Sequence, residues 1–325
     1  MSNLPLNKHS QKLIKLLGIQ LPIVQAPVGG VAIPNLTAAV SNAGCLGGTA
    51  LSWSDPAGAT QTIKSIQSKT KRPFYANYVL NFEPKSLRTA VELGVHIIQF
   101  SWGMPTQEII EYLKNKSVVL GVQVTSKESA LQAIALGANY LVCQGTEAGG
   151  HVHASKPLEI ALKEVLSVSE DIPILASGGI STKNDIIKYL NQGAAGVVMG
   201  TRFVATKESG AHEDYKHAIV AAKKLDTVQT VCMNKGWESS IHRILRNSTF
   251  KNWESEGCPK IGNRPGENDI IGKNAHNWNI ERYSFSAPTV GVTGEIEAMT
   301  HYAGESVDKI NDIPTVHALI ENLIE

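Results

Sequence analysis

One pattern recurs along this chain and restricts its fold more than any other: a helix end, a glycine, then an apolar strand. Glu92-Leu93-Gly94-Val95-His96-Ile97-Ile98 has this form. So do Ala135-Leu136-Gly137-Ala138-Asn139-Tyr140-Leu141-Val142 and Asn191-Gln192-Gly193-Ala194-Ala195-Gly196-Val197-Val198. In each, the glycine can take the left-handed conformation that ends a helix, and a buried strand starts within a few residues. Val118–Val124 and Pro173–Ser177 are two more apolar strand candidates, each followed by a helix. Upstream, Ile23–Gln25, Leu46–Ala50 and Phe74–Tyr78 read as strands. Residues 8–17 (stopped by Gly18), Asn35–Ala43 (stopped by Gly44) and Gln61–Ser68 read as helices. This alternation predicts a parallel sheet. Near-uniform small units favour a closed (β/α)8 TIM barrel over an open sheet. No Gly-x-Gly-x-x-Gly opens the first βα turn, which argues against a dinucleotide fold.

After about residue 210 the pattern changes. Tyr215–Leu225 and Ser239–Asn247 read as helices, and 251–284 is rich in Gly, Pro and Asn. Trp237, Trp253 and Trp278 also fall in this region. The expectation is an inserted, mainly helical cap over 211–284, with 1–210 and 285–325 forming the barrel. Helices over Glu295–Tyr302 and Ile313–Ile324 would return to its outer layer.

The centre of the chain is Gln144-Gly145-Thr146-Glu147-Ala148-Gly149-Gly150-His151-Val152-His153, directly after an apolar strand. Its glycines permit positive φ and close approach of a ligand to the main chain. Ligands of parallel α/β proteins bind beyond the carboxyl ends of the strands. Two further glycine sites follow apolar strands, at Ser177-Gly178-Gly179 and Gly200-Thr201. Barrels often hold a phosphate between their last two βα loops, on bare backbone N–H groups. Ordinary tight turns would use glycine in the same places. Asn77, near a strand end, has an amide able to donate to and accept from a planar heterocycle, or serves as a turn residue.

The 325 residues can bury the core of one large barrel or of two domains. The formal charge of +1 provides no global field for nucleic acid or an anionic membrane. No apolar run approaches the roughly 18 residues of a bilayer span. The start, Met1-Ser2-Asn3-Leu4-Pro5, lacks the basic-then-apolar pattern of a signal peptide. A cytoplasmic protein is expected. Cys45, Cys143, Cys232 and Cys258 show no metal or disulfide spacing and read as reduced thiols; no metal site is expected.

With these residues in view, the chain resembles the nitronate monooxygenase (2-nitropropane dioxygenase-like) family of FMN-dependent TIM barrels. The resemblance covers nearly the whole chain. It rests on Gln25-Ala26-Pro27, Gln144 to His151, Ala176-Ser177-Gly178-Gly179-Ile180 and Met199-Gly200-Thr201-Arg202-Phe203. The tail, Gly294-Glu295-Ile296-Glu297-Ala298 and Tyr302-Ala303-Gly304-Glu305-Ser306, adds to it. The resemblance implies non-covalent FMN. Ala26 and Pro27 would line the isoalloxazine, and Asn77 and Gln123 would contact the ring or ribityl chain. Gly149 and Gly150 would sit beside the flavin. Gly178, Gly179, Gly200 and Thr201 would hold the phosphate, with Ser177 adjoining. His151 occupies the family's catalytic position, while His153 and Glu147 read as loop structure. Val28 departs from the family's usual Met and can alter the wall of the site.

The implied activity is oxidation of alkyl nitronates, or of nitroalkanes with His151 as base, by O2 to carbonyl compounds and nitrite. The expected partners are the nitronate and O2, with a homodimer as the candidate assembly. Relatives with very similar motifs look like NADH:quinone reductases and flavin-dependent enoyl-ACP reductases, so an NAD(P)H-dependent reductase is the alternative. A flavin-free phosphate-binding barrel, such as an isomerase or an inosine-monophosphate-dehydrogenase-like enzyme, and a non-catalytic binding module complete the set. The dehydrogenase would need a nucleophilic cysteine on the active loop, where this chain presents His151.

Overall fold

The computed structural model describes residues 3–238 and 240–325. Among the described residues, nine strands fall in the first two-thirds of the chain. They are β1 (Ile23–Gln25), β2 (Gly47–Ala50), β3 (Phe74–Val79), β4 (Ile97–Ser101), β5 (Val119–Val124), β6 (Tyr140–Gln144), the short β7 (Gly150–His151), β8 (Ile174–Ser177) and β9 (Gly196–Met199). All but β7 form one parallel sheet in the order β1-β9-β8-β6-β5-β4-β3-β2. The ring closes where Val24 bridges Leu46, with Gln25 N–H donating to Leu46 O and Leu46 N–H to Ile23 O, both at 3.0 Å. Eight parallel strands alternating with helices make the expected TIM barrel.

Two apolar layers build it. Outside the strands, residues such as Ile98, Phe100, Leu141 and Ile174 pack against the surrounding helices. Inside, Val24, Leu46, Tyr75, Ile97, Tyr140, Leu175 and Val198 fill the barrel, and Leu13 and Leu17 of helix Lys8–Leu17 close its bottom. Glycines on the strands make room for interior rings: a Cβ on Gly48 of β2 would lie 2.3 Å from the Tyr75 ring, and one on Gly121 of β5 2.1 Å from the Tyr140 ring.

Several sequence-derived bounds change for local reasons. The helix expected over Gln61–Ser68 runs Pro56–Lys69, because Asp55 caps the Gly58 N–H and Pro56 sits at the first helical position. Ser239 lies outside the described residues, but the rest of the helix expected over Ser239–Asn247 is replaced by a strand, β11 (His242–Leu245), buried along its length. It pairs antiparallel with β10 (Thr227–Thr230) on one side and β7 on the other. Beyond it, β12 (Ile270–Lys273) pairs with β13 (Asn279–Glu281) and with β14 (Thr293–Gly294). Residues 211–284 therefore mix strands β10 to β13 with helices Glu213–Ala221 and Ser248–Ser255, rather than being mainly helical. Only one turn, Ile296–Ala298, forms where a helix over Glu295–Tyr302 was expected. There the Asn247 amide donates to Met299 O at 2.6 Å and the Thr249 hydroxyl to Ala298 O at 2.7 Å, capturing carbonyls that a longer helix would use. The final helix, Val316–Ile324, packs Leu319, Ile320 and Leu323 on the barrel. No helix among the described residues is long and apolar enough to cross a membrane.

Overpacking the barrel interior tests this account. Gly121→Ala is expected to destabilise the protein by about 1–3 kcal/mol in urea unfolding. The penalty should shrink when Tyr140 is shortened to Leu in the same chain. A full-sized penalty in the double variant would show that the Tyr140 ring is not what excludes the methyl group.

Candidate active site

The loop after β6 is folded back on itself by one side chain. Gln144 donates from Nε2 to His151 O (3.2 Å) and accepts at Oε1 from His153 N–H (2.8 Å). This turns Gly150–His151 into β7, which places His151 opposite His242 and Gly150 opposite Arg243. Gly150 has φ +76°, which glycine alone adopts without cost. The Glu147 carboxylate accepts the Leu158 N–H at 2.9 Å and so caps helix Leu158–Leu166. His153 stacks on Trp102, centroids 4.9 Å apart. Neither Glu147 nor His153 lines the cavity described next.

Above the C-terminal ends of the barrel strands lies a cavity of about 720 Å3. Ala26 and Pro27 border it after β1, Asn77 and Gln123 at the ends of β3 and β5, and Gly149, Gly150 and His151 after β6. Ser177, Gly178 and Gly179 border it after β8, and Gly200 and Thr201 after β9. The fold thus gathers His151 and all the positions expected to meet the flavin around one space. Asn77 is held within the wall, donating to Ser101 Oγ and accepting from Gln99 Nε2, each at 3.1 Å. Gln123 is different: its Nε2 is shielded from solvent and has no hydrogen-bond partner among the described residues. Gly178 and Gly179 have φ +125° and +69°, a turn that L side chains rarely adopt. The Thr201 hydroxyl accepts the Gly304 N–H at 2.9 Å and keeps its own proton to donate.

His151 sits among rings. Its imidazole stacks on Trp237 (4.3 Å, 25°), with Tyr302 at 5.2 Å and Phe285 at 6.3 Å. Burial, with a smaller contribution from His242, lowers its pKa to about 3, so the ring is neutral at physiological pH. Its Nε2 is buried with no partner among the described residues. His242 is occupied on both sides: Nε2 accepts the Met233 N–H at 3.1 Å and Nδ1 lies 3.0 Å from Ser240 O. Its neutral ring is thereby fixed in place, with a pKa held at about 4 by burial.

The tail docks on this loop. Gly149 lies against Gly304 so closely that a Cβ on Gly149 would come within 2.3 Å of Gly304 N. Arg243 donates from Nε and Nη2 to Thr146 O (3.2 and 3.0 Å) and pairs with Glu305 at 3.2 Å, while Glu305 N–H donates to Glu147 O.

A family model described as nitronate monooxygenase matches residues 10–87 and 80–325. The chain belongs to this family. A probable nitronate monooxygenase of Staphylococcus saprophyticus is 30% identical over 269 residues, covering 69% of this chain and 76% of that protein. Among solved structures, FabK from Thermotoga maritima superposes with a TM-score of 0.79 at 27% identity, covering 96% of this chain and 94% of that one. A nitroalkane oxidase from Streptomyces ansochromogenes gives 0.76 at 26% identity, covering 96% of both chains. As a nitronate monooxygenase family member, the protein is an enzyme, a flavin-dependent oxidoreductase.

Within this family member, Val28 does line the cavity. Gly304 and Ser306 line it too; their signal in the sequence was the tail motif, which gave no hint of where it docks. Trp53, Trp102, Phe285 and Tyr302 were not singled out as site residues. The one local signal for Trp102 is the Gly103 that follows, since Trp102 itself holds φ +60°, an uncommon conformation for a bulky side chain.

The buried histidines set an acid limit. His151, His242 and His301 are all held below the ordinary histidine pKa of 6.5, chiefly by burial. The unfolded chain therefore binds protons below about pH 6.5 that the folded chain refuses, so stability falls as pH drops from about 6.5 toward 4. Urea unfolding midpoints should decline across that window, and His301→Asn should reduce the slope by about one proton. A flat stability profile between pH 7 and 4.5 would contradict the burial of these rings.

Proposed function

We propose that this enzyme binds FMN and oxidises alkyl nitronates with O2 to carbonyl compounds and nitrite. The observation that carries the reading is the bare Nε2 of His151, on a neutral ring beside a cavity walled by glycine loops. The cavity volume falls in the range of cofactor sites, and the donor set suits FMN. Gln123 Nε2 offers an uncommitted amide donor, where buried polar groups otherwise find partners. A Cβ on Gly200 would meet only Ala26 Cβ at 3.5 Å and Val28 Cγ2 at 4.0 Å. The chain itself therefore does not demand glycine there, and space for a bound group does. Gly178, Gly179, Gly200 and Thr201 would hold the phosphate, Ala26, Pro27, Asn77, Gln123, Gly149 and Gly150 the ring and ribityl chain, and Ser177 would adjoin them. FMN, once bound, supplies the redox chemistry.

The remaining steps belong to side chains of this protein. An imidazole whose conjugate acid has a pKa near 3 is a poor base for a carbon acid. It is well suited to donate an uncharged N–H to a nitronate oxygen, which favours preformed nitronates over neutral nitroalkanes. Trp237 and Tyr302 fix the ring plane and exclude water, strengthening that hydrogen bond. Residues 211–284 serve as the cap: Lys235, Trp237 and Glu281 reach the cavity from this segment. An NAD(P)H-dependent reductase is the second reading, favoured by the superposition on FabK.

The purified protein should show flavin absorbance that is released as FMN on denaturation. Under anaerobic conditions that absorbance should bleach with propyl-2-nitronate and not with NADH. Rapid bleaching by NADH would establish the reductase, and a colourless protein would remove both readings. His151→Gln should retain FMN and lower kcat/KM for the nitronate by about 100- to 1000-fold. In the wild type, kcat/KM for preformed nitronate should be flat between pH 6 and 9, since His151 stays neutral throughout. An acidic limb near pH 6.5 that disappears in His151→Gln would overturn the neutral-donor role.

A further inference from the structure

We infer that the cavity is built for a substrate bearing an aromatic substituent, so that aryl-substituted nitronates are preferred over short alkyl ones. This rests on the nitronate reading above for the reacting end and on separate observations for the substituent. From His151 outward the wall is a sequence of rings. Trp237 and Tyr302 flank the imidazole. Phe285 lies 6.3 Å from His151, and Trp53 lies 5.8 Å beyond Phe285. Trp102 meets Trp237 at 4.9 Å. Trp53 is 47% exposed although it lines the cavity, a state that leaves apolar surface for a ligand to cover. Behind it, Phe82 contacts both Trp53 (5.3 Å) and Trp237 (5.2 Å), so the rings are braced.

Charge does not compete with these rings. Among the described residues, the cavity wall carries one Lys and one carboxylate, Lys235 and Glu281, and they pair with each other. Selection for what extends beyond His151 therefore falls to the ring faces and edges, which favour offset or edge-on aromatic partners. A short alkyl nitronate held at His151 leaves Trp53 bare, since Trp53 has no ring contact with His151 among the described residues and reaches it through Phe285. A phenyl group on the nitronate carbon extends along Phe285 toward the exposed face of Trp53 and removes apolar surface from water there. The backbone supports the same interpretation. Trp102 is held at φ +60°, and bulky side chains in that region are rare outside sites that need them.

With the FMN-loaded enzyme, kcat/KM for the nitronate of phenylnitromethane should exceed that for ethyl nitronate by about tenfold or more. Trp53→Ala should lower that aryl-to-ethyl ratio by about tenfold, and Trp53→Phe should largely keep it. A merely structural role for Trp53 would change both substrates alike and leave the ratio fixed. Equal kcat/KM for the two nitronates, or a ratio indifferent to Trp53→Ala, overturns the inference while leaving the nitronate reading intact. Oxidation of neither nitronate removes that reading instead, and the ring-lined slot is then read by binding alone. Titration of tryptophan fluorescence with the unreactive carboxylates phenylacetate and propionate should give about tenfold tighter binding of phenylacetate. Equal affinities would overturn the inference whatever the turnover result.

Discussion

The contact on which the site depends is between two backbones, at Gly149 and Gly304. A side chain on either would collide with the other's main chain, and their packing brings the tail of the chain onto the loop after β6. Around this contact the polar links are few and specific. Gly304 N–H reaches the Thr201 hydroxyl, Glu305 N–H reaches Glu147 O, and Arg243 spans from Thr146 O to the Glu305 carboxylate. Four segments far apart in sequence are thereby fixed to one another at the rim of the cavity. Because the contact is backbone to backbone, no rotamer change can loosen it, which is what a preorganised loop requires.

The same assembly makes His151 an unusual histidine. Strand β11 pairs with β7 and sets His242 across from it, while Trp237 covers its face. Desolvation then removes its positive charge. The site thus offers a neutral imidazole edge in an aromatic surrounding, rather than a cationic pocket. Such a group is a fixed dipole that need not reorganise as charge moves on a bound substrate, and its low dielectric setting magnifies one hydrogen bond.

The sequence and the structure agree where local rules are enough. Glycine at helix ends, such as Gly18 and Gly44, does take positive φ, and the apolar runs after them become barrel strands. They part company where tertiary pairing overrides local preference. His242-Arg243-Ile244-Leu245 lies in a stretch with helical character, yet its backbone is claimed on both sides by β10 and β7. Residues 295–302 were read as a helix, and side chains of Asn247 and Thr249 take up its carbonyls instead. The aromatic wall was illegible for a related reason. Trp53, Trp102, Phe285 and Tyr302 share no motif and no spacing, and only barrel closure makes them neighbours.

The sequence by itself determined the barrel and the floor of the cavity. Both follow from periodicity and glycine placement, properties that act over a few residues and can be read in a line. Glycine loops after successive strands of a closed parallel barrel necessarily converge at one end, so the cavity-lining positions could be named in advance. The tertiary structure alone decided the protonation state of His151, the rings around it, and the mixed α/β character of residues 211–284. Each of these is set by burial or by pairing between distant segments. Desolvation and strand register belong to the environment a residue enters, and a linear sequence does not specify that environment until the chain has closed around it.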